Sequence, residues 1–431
     1  MRRLKKNVLI FPGGTENGLE IKRSLQWCKE INIFSASSDV CNQAHYVYKD
    51  NSIIDDVSTN TWLEQLNDVI KKKKIDIIIP ANSIVIDALN ENRERIACDI
   101  LLDKPEIIEI TRSKRKTLEK LKNVVKVPQI YQNPDDIKEE DYPVFIKPDN
   151  GYGAQGAQMI NRKSELEHLD FTKYIIQEYL EGDEYTVDCF SNHGDVLFAR
   201  GRKRERIRMG TTMHCDELNE NLQNEFHDLA VEIGRIIPIT GYWFYQMKED
   251  SLGVMRLLEI DIRIAGTMAY HRCKGVNFPL IALFQFYGYE IEVNPNLNYE
   301  LVLDRCLKNV FCLKYEYNCV YIDLDDTIIC HNHLNTQMVT FLYQCLNKGR
   351  KLVLISKNEE QYERLKKYRI YELFDEIYWI DESENKADYI KEKKAIFIDD
   401  SFSQRAEVKR KCHIPTFDPS MVECLLDERE M

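Results

Sequence analysis

Two stretches of this 431-residue chain place acidic groups at spacings that can do chemistry. In residues 255–266, Glu259, Asp261 and Arg263 alternate with Leu258, Ile260, Ile262 and Ile264. Period-two alternation predicts a strand with an apolar face turned to a core and an opposite face carrying two carboxylates and a guanidinium. At strand rise such neighbours stand about 6–7 Å apart. That spacing suits a hard divalent cation shared with phosphate oxygens, with the arginine taking further negative charge. The same pattern describes a solvated strand face with one ion pair, so the parts upstream must decide. The second stretch, Asp323-Leu324-Asp325-Asp326-Thr327, closes the apolar run 319–322. It is followed by the run 352–355 ending in Ser356, by Lys386, and by the run 395–398 ending in Asp399-Asp400. Three apolar strands thus each end in a polar residue at one sheet edge.

The upstream parts handle phosphate. Residues 7–11 form a short β-rich run before Pro12-Gly13-Gly14-Thr15-Glu16-Asn17-Gly18, a helical stretch over 19–29 and a second strand over 31–35. Leu19 stands where a P-loop needs lysine, so the glycines make a turn and not that motif. Thr61 and Glu64 form a capping-box pattern, and the strand 75–79 ends in Pro80-Ala81-Asn82-Ser83. Alternating strands and helices predict a parallel sheet, whose carboxyl-end loops 13–17 and 81–83 are candidates for substrate contact.

A basic helix follows at 113–117, then the strand 143–148 with Lys147, then Gly151-Tyr152-Gly153-Ala154-Gln155-Gly156-Ala157. The last matches G-x-G-x-x-G, but another strand-like run (158–160) follows it before any helix, so the dinucleotide context is missing. A glycine loop between antiparallel strands is a flap whose backbone N–H groups can cover a triphosphate, with Lys147 as a point charge. Residues 174–180 run as a β-rich segment toward Glu184. Arg202, Arg204, Arg206 and Arg208 share one face if residues 201–210 are extended; Arg202 and Arg204 are the candidates to reach a phosphoryl group, against a plain solvated charge run. The strand 241–247 carries Gln246.

Composition narrows the class. The length predicts two or more domains, and 44% hydrophobic residues is ordinary for globular proteins. A net charge of −12 argues against a nucleic-acid surface over the whole chain and favours small-molecule partners. Thirteen scattered cysteines without a C-x-x-C pair suit free thiols in a reducing, cytoplasmic setting. The apolar run 8–11 is too short for a signal segment, and no stretch reaches a membrane span of about 20 residues.

Residues 7–310, taken in order, resemble the ATP-grasp superfamily in the branch of carbamoyl-phosphate synthase and the carboxylate–amine ligases. The matching pieces are Phe11-Pro12-Gly13-Gly14, Ser113-Lys114 with Thr117, Phe145-Ile146-Lys147-Pro148, the glycine loop, Gln177-Glu178-Tyr179-Leu180 with Gly182 and Glu184, Gln246, and Glu259 to Arg263. The resemblance implies that Lys114 and Lys147, with the flap residues Gly153, Gln155 and Gly156, hold the phosphates of ATP. Gln177, Glu178, Tyr179 and Leu180 would line the adenine, and Glu184 would take the ribose hydroxyls. Gln246, Glu259 and Asp261 would hold Mg²⁺, with Mn²⁺ as an alternative, and Arg263 would meet the transferring phosphoryl or the substrate. The family most often has asparagine where this chain has Asp261.

Residues 319–424 are similar to the haloacid dehalogenase (HAD) phosphatase superfamily. By that resemblance Asp323 attacks phosphorus and Asp325 serves as acid and then base. Ser356 and Lys386 would hold phosphoryl oxygens, and Asp323, Asp325, Asp399 and Asp400 would surround Mg²⁺. There is room after Asp325 for one helix (338–346) and no cap, so the site should be open; His331 and His333 read as solvated loop residues.

The expected architecture is α/β and α+β multidomain: a parallel α/β domain over 1–112, a two-lobed ATP-grasp domain over 113–312 with its lid at about 113–183, and a capless, Rossmann-like HAD domain over 318–431. The implied protein is a bifunctional ligase and phosphatase using Mg-ATP, a small carboxylate, an amine and a phosphorylated metabolite, with no nucleic-acid or membrane partner and room for a homo-oligomer. The alternatives are an ATP-dependent small-molecule kinase with a phosphatase, or a nucleotide-sensing module regulating the phosphatase.

Overall fold

The computed structural model describes residues 5–39, 42–151, 155–166, 169–208, 210–357 and 361–430. The chain forms two compact units, Met1–His45 with Asp50–Leu307, and Tyr46–Lys49 with Lys308–Met431. Residues expected as a first and a second domain therefore share the first unit. Among the described residues no helix is long and apolar enough to cross a membrane.

The first unit opens with a parallel five-stranded sheet in the order Asn51–Ile53, Ile31–Ser37, Lys6–Phe11, Ile77–Pro80, Asp99–Ile100. Val8, Leu9 and Ile10 are fully buried, as their near-continuous apolar run requires. Two helices start directly from its strand-end loops. Thr15 caps Glu16–Leu25 by accepting from the Gly18 N–H at 3.1 Å, and Asn82 caps Ser83–Glu91 by accepting from the Val85 N–H at 2.9 Å. Gly18 has to be glycine, since a Cβ there would stand 2.6 Å from the Gly13 carbonyl oxygen. The helix Trp62–Lys73 begins where the Thr61 pattern predicts, but no capping box forms, because the Thr61 hydroxyl donates to Asp55 instead of accepting from the helix.

Two further sheets carry the site. The antiparallel lid sheet runs Ile130–Tyr131, Tyr174–Glu178, Val144–Pro148, Gln158–Ile160, so the glycine loop does connect two antiparallel strands. The antiparallel floor runs Asp195–Lys203, Glu184–Asn192, Gly241–Glu249, Met255–Asp261, with the helix Glu220–Ile236 against it. Phe226, Ala230 and Ile233 of that helix share a core with Val187, Trp243, Tyr245 and Leu257, each large apolar side chain contributing about 1.5–3 kcal/mol by its burial.

In the second unit a parallel sheet runs Glu376–Trp379, Lys351–Ser356, Cys319–Ile322, Ala395–Ile398, Thr416–Phe417. Between the first strand and Lys351 lie only a two-residue-strand hairpin, Ile329–Cys330 with His333–Leu334, and the helix Thr336–Asn347 capped by Asn335.

Candidate functional site

A cavity of about 670 Å³ lies in the first unit, within the size range of small-molecule sites. Lid strand, floor strands and the carboxyl-end loops of the parallel sheet all contribute to its wall. The floor strand Met255–Asp261 supplies the key residues through an irregularity. Its register against Gly241–Glu249 runs Phe244 to Asp261, Tyr245 to Ile260 and Gln246 to Glu259, but Met247 faces Leu257, so Leu258 is an extra residue. Strict alternation would send Leu258 into the core. The bulge instead turns Leu257, Ile260 and Ile262 inward and puts both Leu258 and Glu259 on the cavity wall. It also frees the Leu258 carbonyl, which accepts from Lys147 Nζ at 2.9 Å.

Cations gather on this floor. Lys114, at the start of a helix capped by Ser113, lies 3.3 Å from Glu259 and donates to the Gly151 carbonyl at 3.2 Å. Burial lowers Lys147 to about 8, against the opposing pull of Glu259. Glu259 itself would be raised by burial, but Lys114 and Lys147 more than offset this and hold it below the usual carboxylate value. An ionised Glu259 opposite Gln246, beside two ammonium groups, is a donor set that fits a hard cation shared with phosphate oxygens. Glu184 pairs with Arg204, whose Nε donates to the Thr212 hydroxyl at 2.9 Å, and all three line the cavity. Gln177, Tyr179, Leu180, Gln155 and Gln246 also face it, while Gly156 turns at φ +71° between the lining residues Gln155 and Ala157.

Several expected site residues are placed elsewhere. Asp261 is buried and does not reach the cavity: it accepts from Arg263 Nε at 2.8 Å and from the Ser83 hydroxyl at 3.2 Å. It positions Arg263, whose guanidinium lies 5.0 Å from the Phe244 ring centre, and is not a metal ligand of this cavity. Arg202 is fully buried, bonded to Asp188 through Nε at 2.7 Å and to Thr267, so it is a core ion pair and not a phosphate contact. The arginine ladder fails because the chain leaves one sheet at Lys203 and enters another at Glu205. Glu178 points away from the cavity, accepting from the Gln129 N–H at 3.0 Å. Gly153 lies outside the described residues. The loops 13–17 and 81–83 do reach the wall, through Thr15, Glu16, Asn17, Ala81, Asn82 and Ser83. Arg305, also on the wall, was beyond sequence reasoning, since it sits in a stretch without periodicity.

In the second unit Asp323 and Asp399 follow paired strand ends, and Lys386 Nζ bridges them at 2.6 Å each. Oxygen atoms of Asp323, Asp399 and Asp400 fall within 4.8 Å of one another. Burial pushes the Asp323 carboxyl up, with Lys386 opposing, while the charges of Asp323 and Asp399 overcome burial to raise Lys386. Three carboxylates around one ammonium fit a divalent cation. Ser356 is buried at the end of the neighbouring strand. Asp325 stands outside the trio in an ion pair with Arg364, which corrects its assignment as a metal ligand. Thr327 accepts from the Asp400 N–H at 3.1 Å and so ties the first strand-end loop to the third.

A family model described as ATP-grasp in the biosynthetic pathway with Ter operon matches residues 170–305. The 3-methyl-D-ornithine–L-lysine ligase of Methanosarcina mazei is 26% identical over 234 residues, 53% of this chain and 60% of the relative. A D-alanine–D-alanine ligase A of Clostridium perfringens is 28% identical over 114 residues, 23% of this chain and 38% of the relative. The chain thus spans well under two thirds of either curated relative. The biotin carboxylase domain of a Hydrogenobacter thermophilus 2-oxoglutarate carboxylase, solved with MgADP and bicarbonate, superposes with a TM-score of 0.57 at 15% identity, covering 67% of this chain and 71% of that one. The chain carries an ATP-grasp fold.

Proposed function

We propose that the first unit is an ATP-dependent carboxylate–amine ligase working through an acyl phosphate, and that the second is a phosphatase of the aspartyl-phosphate type. ATP and Mg²⁺ are the cofactors of the ligase. The observation that carries this reading is the floor of the cavity, where Lys114, Lys147 and Arg263 surround one ionised glutamate next to Gln246. The ligase names of the relatives support the acid and amine substrate class.

Lys147 and Lys114 bind phosphate oxygens, and Lys147 is held in place by the Leu258 carbonyl. Glu259 and Gln246 would hold Mg²⁺, which supplies charge neutralisation between phosphate groups. A substrate carboxylate oxygen attacks the γ-phosphorus and ADP departs; an amine then attacks the acyl carbon, phosphate leaves, and the amine gives up one proton. Arg263, fixed by Asp261 and Ser83, faces the phosphoryl in flight. Catalysis in this half is positioning and charge stabilisation, with no covalent nucleophile.

In the second unit Asp323 would attack phosphorus while Asp325 protonates the leaving oxygen and then activates water, returning Asp323 as carboxylate. Ser356 and Lys386 would hold phosphoryl oxygens, and Asp323, Asp399 and Asp400 would hold Mg²⁺. ADP release measured over a matrix of carboxylic acids and amines tests the ligase: turnover should need both partners, and turnover with the acid alone would replace the ligase with a kinase.

A further inference from the structure

At one end of the cavity three polar atoms converge on a place where the chain has no side chain. A Cβ built on Gly266 would stand 3.4 Å from Arg305 Nη1, 3.8 Å from Asn17 Oδ1 and 3.9 Å from Glu16 Oε2. All four residues line the cavity. Glu16 and Asn17 come from the first turn of the helix Glu16–Leu25. Arg305 follows the strand Leu303–Asp304, and its N–H donates to the Met213 carbonyl at 2.8 Å, so both sides of this niche rest on regular structure.

Arg305 is only half used. Its Nη2 donates to Glu16 Oε2 at 2.7 Å, whereas its Nη1 is buried without a hydrogen-bond partner among the described residues. A buried N–H left unmade costs about 1–3 kcal/mol. The Glu16–Arg305 pair offsets little of that, because Glu16 is 59% exposed and ion pairs of that exposure contribute about 0–1 kcal/mol. A contact serving only to hold two elements together would not leave the better-buried nitrogen empty. A ligand carboxylate at Nη1 completes the guanidinium fork, and an ammonium beside it meets two acceptor oxygens, Glu16 Oε2 and Asn17 Oδ1.

We propose that Glu16, Asn17 and Arg305, around the niche at Gly266, recognise an α-amino acid as a zwitterion, Arg305 taking its carboxylate and Glu16 with Asn17 its ammonium. This rests on the ligase reading of the cavity and assigns one of its two substrates to a chemical class and a place.

The experiment measures binding of a panel of free L- and D-α-amino acids, each beside its amide and its N-acetyl derivative, by calorimetry with Mg²⁺ and a non-hydrolysable ATP analogue present. The parental protein should bind at least one free amino acid, and the amide and the N-acetyl form should bind at least about tenfold more weakly. Arg305→Ala should weaken the free amino acid at least about tenfold and leave the amide unchanged; Glu16→Gln should do the same relative to the N-acetyl form. Gly266→Ala, which fills the niche at an ordinary contact distance without backbone strain, should weaken the amino acid while nucleotide affinity stays within about twofold in all three variants. Equal losses for free acid and amide, or no loss in Arg305→Ala, overturn the assignment. Should other acids and amines support ADP release while no amino acid binds, the zwitterion site falls and the ligase stands. Should amino acids bind through Arg305 with no ADP release from any pair, the site stands and the ligase falls.

Discussion

Along the cavity of the first unit, Lys114, Lys147, Arg204, Lys248, Arg263 and Arg305 stand against Glu16, Glu184 and Glu259, six cations to three anions. At the strand ends of the second unit, three aspartates share one lysine. The first arrangement is short of negative charge and suits a polyanion such as a nucleotide triphosphate. The second is short of positive charge and suits a metal ion. Both are assembled at the carboxyl ends of strands, yet one sheet edge presents its carboxylates bare while the other floor covers its single glutamate with ammonium groups. The charge of the missing partner can therefore be read from the sign of the imbalance, independently of fold.

The largest effect should come from exchanging the two lone acids. Asp323→Asn removes a nucleophile while keeping its shape, and phosphate release from a small aryl phosphate should fall by at least about 10³-fold, with acid- and amine-dependent ADP release unchanged. Glu259→Gln should give the reverse, ADP release falling about 10²–10³-fold as a charge stabiliser is lost. Parallel kinetics on the two proteins decide; joint loss of both activities in either variant would show that the sites are not independent.

A smaller effect is expected on the cationic side. Lys147→Ala removes a charge-assisted contact of about 1.5–3 kcal/mol, so ATP affinity should drop about 10- to 100-fold while affinity for acid and amine changes much less. Titration with a fluorescent ATP analogue, followed by acceptor saturation curves, separates the two. Equal weakening would take Lys147 out of the phosphate site.

The smallest effect concerns a carboxylate that has what the strand-end trio lacks, a full set of cations. Burial would raise Asp427, but hydrogen bonds from Arg429 at 2.8 Å and Lys348 at 2.6 Å bring it well below the ordinary aspartate value. A depressed carboxyl contributes stability that is present above its unfolded value near 3.9 and lost as pH falls toward the folded one. Asp427→Asn should therefore cost about 1–3 kcal/mol at pH 7, with the gap to the parental protein closing below about pH 4. Urea melts at pH 7 and pH 3 measure this; a gap that stayed constant would mean Asp427 acts through shape alone.

Much of this protein was legible in one dimension. The run 7–11, the turn Pro12-Gly13-Gly14 and the loop 81–83 announced a parallel sheet whose strand-end loops meet a ligand, because both depend on period and turn chemistry within a few residues. The strands ending in Asp323, Ser356 and Asp399 were equally plain, since buried parallel strands must be continuously apolar and their polar termini mark the edge. Residue type and order also marked Lys114, Lys147 and Glu259. What only the folded chain decided was which side each residue faces and what meets it from far away. One extra residue at Leu258 shifts the alternation, so Leu258 reaches the cavity while Asp261 turns to Arg263 and Ser83. A break after Lys203 sends Arg202 inward to Asp188 and Arg204 to the cavity. Arg305 meets Glu16 across 289 positions of sequence, and Arg364 meets Asp325 across 39. Period and spacing are local quantities, whereas bulges and ion pairs of this kind are set by the packing of distant segments, which no window of the sequence contains.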